Sequence, residues 1–190
     1  YGGFVLLTSI LGIVFGISSF GAGYKSRRFL PSAKTMDLRA ELYYPPFYFQ
    51  LFSILVLSAA LLLLDTPINT YIYKGEIAYS ILIIPAYLFS YSLYSQGSDY
   101  LRYTSRIQHM TLATLAFPYL HIILIVVSIY IFRIMTINML MVTHVVSALF
   151  VAVPCFWIIC REMGIRVLFY KFEALISDIK LGFPLVLGFI

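Results

Sequence analysis

The chain has 190 residues, of which 62% are hydrophobic and only 11% charged, with 13 Lys/Arg against 8 Asp/Glu. A soluble domain of this size cannot bury so many apolar side chains and needs more polar cover than so few charges supply, and the same apolar and aromatic excess excludes disorder. The positive balance does not point to nucleic acid, because the basic residues sit in short connecting stretches between long apolar runs; the composition is that of an integral membrane protein.

Stretches free of Asp, Glu, Lys and Arg cover 1–24, 42–64, 77–98, 107–132 and 134–160, followed by 181–190 at the end of the chain. About 20 apolar residues at ~1.5 Å rise per residue cross a ~30 Å hydrocarbon core. Five runs therefore predict spanning helices over about 1–24, 42–64, 77–98, 108–132 and 135–160, and the sixth predicts the truncated start of another. In lipid, backbone amides must be satisfied within their own segment, so helices are expected. Runs such as Ile54-Leu55-Val56-Leu57 lack the alternation of a membrane barrel strand. The expected fold is thus all-α, a polytopic transmembrane bundle over 1–160. Because the chain opens at Tyr1 without Met and stops at Ile190 inside an apolar run, it reads as an internal piece of a longer polypeptide.

Between the spans, the basic residues set the orientation. Loops 25–41, 99–106 and 161–180 carry Lys25, Arg27, Arg28, Lys34, Arg39, Arg102, Arg106, Arg161, Arg166, Lys171 and Lys180, while the opposite side carries only Lys74 and Arg133. This places the three basic loops in the cytoplasm and the N-terminal end of the first span outside. Tyr43, Tyr44, Tyr48, Tyr71, Tyr73, Tyr94, Tyr100 and Tyr103 cluster near run ends, as interfacial anchors do. Such rings are also stacking platforms for a sugar. In 161–180, Ile165, Leu168, Phe169, Phe172 and Ile176 recur at helical spacing opposite Arg166, Lys171, Glu173 and Lys180, predicting an amphipathic connector at the cytoplasmic interface.

Ser9, Gly12, Gly16, Ser19 and Gly23 form one small-residue stripe along the first span, the pattern that admits close helix packing in lipid. Four residues further lies Arg27. Arg27 and Arg28 are either positive-inside anchors on lipid phosphates or a bidentate grip on a substrate phosphate within a cavity. His121 and His144 are the only ionisable groups well inside the charge-free runs. Residues of that kind serve proton relay or polar-substrate binding, unless a hydroxyl such as Thr143 or Ser147 satisfies them as structural histidines. Pro85, Pro118 and Pro154 lie within apolar runs and predict helix bends. Cys155 and Cys160 share one helix and cannot pair with each other. No nucleophile triad, phosphate loop, carboxylate pair or metal spacing is present, so neither an enzyme nor a cofactor or metal is expected.

Three segments carry a resemblance: Tyr1-Gly2-Gly3-Phe4-Val5-Leu6-Leu7, then Arg28-Phe29-Leu30-Pro31 after the first span, and Ser177-Asp178-Ile179-Lys180-Leu181-Gly182-Phe183-Pro184-Leu185-Val186 near the end. In order and spacing the chain resembles the Wzx-type O-antigen and capsule flippases of the MOP exporter superfamily. The resemblance implies most of an N-terminal lobe, with 161–180 as the connector and the second lobe elsewhere in the same polypeptide. It further implies a monomeric, multi-pass flippase of the cell inner membrane. Such a protein moves a polyprenyl-pyrophosphate-linked oligosaccharide across the bilayer by alternating access for surface polysaccharide biosynthesis. Partners would be that lipid-linked substrate and the surrounding lipids, with no nucleic acid. Arg28 matches the motif arginine, whereas the helical stripe favours Arg27; with His121 and His144 they are the candidate substrate-binding residues. The competing expectation is a structural membrane subunit of a larger respiratory or secretory complex.

Overall fold

The structure, a computed structural model, describes residues 2–64, 66, 82–133 and 136–187. All regular elements among them are helical: α1 (Gly2–Ser18), α2 (Tyr24–Phe29), a 3-10 turn (Leu30–Ser32), α3 (Met36–Leu63), α4 (Ile83–Tyr103), α5 (Ile107–Phe132), α6 (Ile137–Met163) and α7 (Phe172–Leu187). Lys74, Tyr71 and Tyr73, the start of the run at 77–98 and the last residues of 181–190 lie outside the described residues.

Among the described residues, three helices are long and apolar enough to cross a membrane, α3, α5 and α6. This makes the chain a membrane protein by length and composition. Of the five spans expected from the charge-free runs, the other two differ for physical reasons. The helix of the first run stops at Ser18, where Gly21 and Gly23 adopt φ of +79° and +92° and the chain turns. Only glycine enters that region without strain, so the run 1–24 is a helix, a break and then α2. α4 is long enough at 21 residues but is interrupted by Ser90, Ser92, Ser95, Gln96, Ser98 and Asp99.

That polar helix lies at the centre. α4 packs chiefly against α6 and α3, with α5 and α1 completing its surround. The hydroxyls of Ser90 and Ser98 donate to carbonyls of their own helix, three residues back. Gly97 lets α6 come close: a Cβ built there would sit 2.7 Å from the Cβ of Cys155. By contrast, Ala113 is the only described residue of α5 that is fully buried, so nearly the whole helix faces outward. One half of the bundle is cored by Leu7, Leu11, Ile54, Ile84, Leu88 and Met141, the other by Tyr43, Phe47, Tyr100, Leu101, Val151 and Ile159.

Threonines start two of the long helices. Thr35 Oγ1 accepts from the Leu38 amide at 3.3 Å and Thr136 Oγ1 from the Met139 amide at 3.2 Å, each covering a donor that the first turn leaves open. Pro118 and Pro154 are interior to α5 and α6, whereas Pro85 sits in the first turn of α4, where no backbone partner is lost. An adjacent pair, Pro45 and Pro46, also lies inside α3.

The connector departs from the expected amphipathic helix. Residues 164–171 are non-helical, and α7 begins at Phe172 and runs unbroken through 181–187, merging connector and next segment. Gly164 ends α6 with φ +71°. The Tyr44 hydroxyl donates to the Gly164 carbonyl and the Tyr48 hydroxyl to the Arg166 carbonyl at 2.9 Å, holding these peptides away from helical pairing. Tyr43, Tyr44 and Tyr100 are consequently buried at 0–4% exposure. They pack inside the protein and do not stand as a headgroup belt.

Candidate functional site

A cavity of about 110 Å³ opens where the break after α1 meets α3 and α4. Its polar lining includes Ser19, Arg27, Gln50, Gln96 and Asp99, with Tyr43, Tyr100 and Tyr103 as aromatic walls. Gly16, Ser19, Gly23 and Arg27 all border it, so the lower part of the small-residue stripe does turn inward despite the interruption of the helix. The upper part does not. Ser9 and Gly12 are exposed, and a Cβ added at Gly12 would meet nothing within 4 Å. The face of α1 that packs is the one bearing Leu7 and Leu11, because their larger side chains fill the core shared with Ile54, Leu88 and Met141.

The cavity floor is an amide relay. Gln96 Nε2 donates to Gln50 Oε1, and Gln50 Nε2 donates in turn to Ser18 Oγ at 3.3 Å. Ser18 Oγ donates to the Phe15 carbonyl at 2.6 Å. At the rim, Asp99 lies 3.6 Å from Arg102, and its carboxyl is pushed above the usual range by burial, an effect that Arg102 and Arg27 oppose. Arg27 and Asp99 thus share one polar chamber.

The four candidate substrate residues do not converge. Arg28 turns away from the cavity: its guanidinium lies over Phe29 at 5.5 Å and meets the Tyr24 hydroxyl at 3.5 Å. His121 and His144 do come together, from α5 and α6, with ring centroids 4.9 Å apart and planes at 85°. They sit in an aromatic cluster rather than in the cavity. Tyr87 stacks on His144 at 4.5 Å, Phe117 meets it edge-on at 4.9 Å, and Tyr91 bridges toward the chamber through an edge contact at 4.9 Å with Phe15. Gln50 and Gln96 had a usable signal in the sequence, since each is an amide inside a charge-free run; listing charges alone passes over them.

No group of three or more His, Cys, Asp or Glu that could hold a metal ion occurs among the described residues. Compared with protein-family models, curated proteins and solved structures, the chain matches none. The class that fold and composition define is a helical-bundle membrane protein, and what it does must be argued from the polar chamber.

Proposed function

We propose that this chain forms part of a membrane transporter for an amphiphile with a hydroxyl-rich, phosphate-bearing head. The reading follows the resemblance to Wzx-type flippases and takes the substrate to be a polyprenyl-pyrophosphate-linked oligosaccharide carried across the cytoplasmic membrane. The observation that carries it is the chamber of Arg27, Gln50, Gln96, Asp99 and the tyrosines between the end of α1, α3 and α4. Amides and a carboxylate bond sugar hydroxyls, tyrosine rings stack on sugar faces, and an arginine fork takes a phosphate.

A chamber of about 110 Å³ accommodates only a few waters, so it serves as one wall of a larger vestibule completed by the second lobe. In this scheme the five apolar runs cross the bilayer alternately, with the basic loops in the cytoplasm and the chamber at the cytoplasmic end. Alternating access then lets the head cross without leaving polar company. The head spends no time in hydrocarbon, where its charges would be prohibitively unstable.

The second reading, a structural subunit of a larger assembly, draws support from the outward face of α5. Expression of the full-length protein in a strain lacking its own O-antigen flippase separates the two. Restored surface glycan, reduced by Arg27→Gln, is the expected result. Correctly inserted protein with no surface glycan would reject the transporter and leave the structural subunit.

A further inference from the structure

We infer that His121 and His144 form an intramembrane proton-binding site that takes up a single proton for the pair. The geometry begins with an unmet hydrogen-bonding group. His144 is 9% exposed, and its Nε2 is buried without a partner. The neighbouring hydroxyls, which the sequence offers as partners, are engaged in their own helix. Thr143 Oγ1 donates to the Leu140 carbonyl at 2.9 Å and Ser147 Oγ to the Thr143 carbonyl at 2.7 Å. A histidine kept only for packing would have its ring nitrogens satisfied, because an orphaned polar atom in a dry interior is destabilising.

His121 completes the site from the facing helix. Its Nε2 lies 3.4 Å from the Leu140 carbonyl, a placement that favours a proton on that nitrogen and leaves Nδ1 as an acceptor. With centroids 4.9 Å apart and planes at 85°, the edge of one imidazole is turned toward the other ring. Two charged imidazoles at this separation repel, so the pair takes one proton as a unit.

The surrounding rings offset part of the cost of burying a cation without neutralising it. α4 contributes Tyr87, stacked on His144 at 4.5 Å, and Tyr91 at 6.0 Å; α5 contributes Phe117; α1 contributes Phe4, at 6.4 Å from His121. The π-faces of these rings attract an imidazolium. Tyr87 and Tyr91 are the titratable groups in ring contact with the pair. Among the described residues, no Asp, Glu, Lys or Arg forms an ion pair with either imidazole. With no counter-ion fixed beside it, the site loads or empties with the supply of protons. Use of that proton to bias the α5–α6 contact during transport rests on the proposed function; proton binding itself does not.

Histidine side-chain 15N spectra of the full-length protein in lipid nanodiscs, recorded from pH 8 to pH 4, test the site. Exposed His109 is the reference within the same spectrum. The expected result is a joint transition of His121 and His144 that sums to one proton and is distinct from that of His109. His121→Gln then changes the proton affinity of His144 at least about tenfold, equivalent to one pH unit. Two rings that stay neutral to pH 4, or that titrate independently of each other, would overturn the inference. The wild-type spectrum decides this even if the variant fails to fold. A joint transition in a protein that moves no glycan would reject the transporter alone, and glycan movement without the transition would reject the proton site alone.

Discussion

Asp178 on α7 reaches back to the break after α1, where its Oδ2 accepts the Gly23 amide at 3.2 Å. The other oxygen accepts the Lys25 amide at 3.0 Å, and the Tyr170 hydroxyl donates to Oδ2 at 2.5 Å. The carboxylate is 1% exposed, so all three donors depend on it. It fastens α7 to the break after α1 and the start of α2 across most of the chain, beside a point where the backbones of Gly21 and Gly182 touch.

Removing this carboxylate orphans buried donors. Asp178→Ala is expected to cost about 3 kcal/mol or more, read as a lowered unfolding temperature in detergent with faster proteolysis across 164–171. Tyr170→Phe removes one bond of the set and is expected to cost about 1–2 kcal/mol. The double variant should cost less than the sum, because both changes act on one network.

The approach of α4 to α6 makes Gly97 sensitive to a single methyl. Gly97→Ala brings its Cβ against that of Cys155 and is expected to destabilise by about 1–3 kcal/mol, as overpacking does. Cys155→Gly should restore much of the loss in the double variant. Thermal unfolding of the four proteins in one detergent completes the cycle, and an unaltered Gly97→Ala protein would mean that the two helices stand further apart.

Neighbouring arginines should behave differently. Arg27 borders the chamber, whereas Arg28 stacks on Phe29. On the proposed transporter function, Arg27→Gln is expected to lower glycan export at least about tenfold, the loss of one charge-assisted contact, while Arg28→Gln leaves export within about twofold. Equal losses from both would point to lipid anchoring, since a headgroup does not distinguish two adjacent cations.

Asp99 predicts a pH dependence. Burial raises its pKa above the usual carboxylate value against the opposing pull of Arg102 and Arg27, so the folded state binds this proton more tightly than the unfolded chain does. The stability from it is therefore full below the ordinary carboxylate pKa of about 3.9 and declines as pH rises through the raised value. Asp99→Asn should flatten that part of the profile and unfold at a higher temperature than wild type at neutral pH. Unfolding temperatures of the two proteins across the acid range check the sign.

Much of the helical class was legible in the sequence, since runs such as 107–132 and 134–160 have no other stable form in lipid. The limits of α1 were not, because they depend on positive φ at Gly21 and Gly23, and a glycine stripe reads the same in a straight helix as in a broken one. Tyr43 and Tyr44 show the same difficulty. At a run end a tyrosine reads as an interfacial anchor, and only distant partners turn these two inward: Gly164 for Tyr44, and the ring of Tyr100 for Tyr43. Arg27 was found through its place on the stripe. The pairing of His121 with His144 was not foreseeable, as it needs the relative depth of α5 and α6 rather than any spacing along the chain.

The polarity of α4 bears on how the protein is made. Ser90, Ser92, Gln96 and Asp99 leave this segment poorly suited to enter a bilayer alone, yet α6, the neighbour that covers much of it, is synthesised only after α5. Insertion of α4 is therefore expected to depend on a partner that emerges later. A chain shortened before Met163 should leave α4 more accessible to water-soluble labels than the longer chain does.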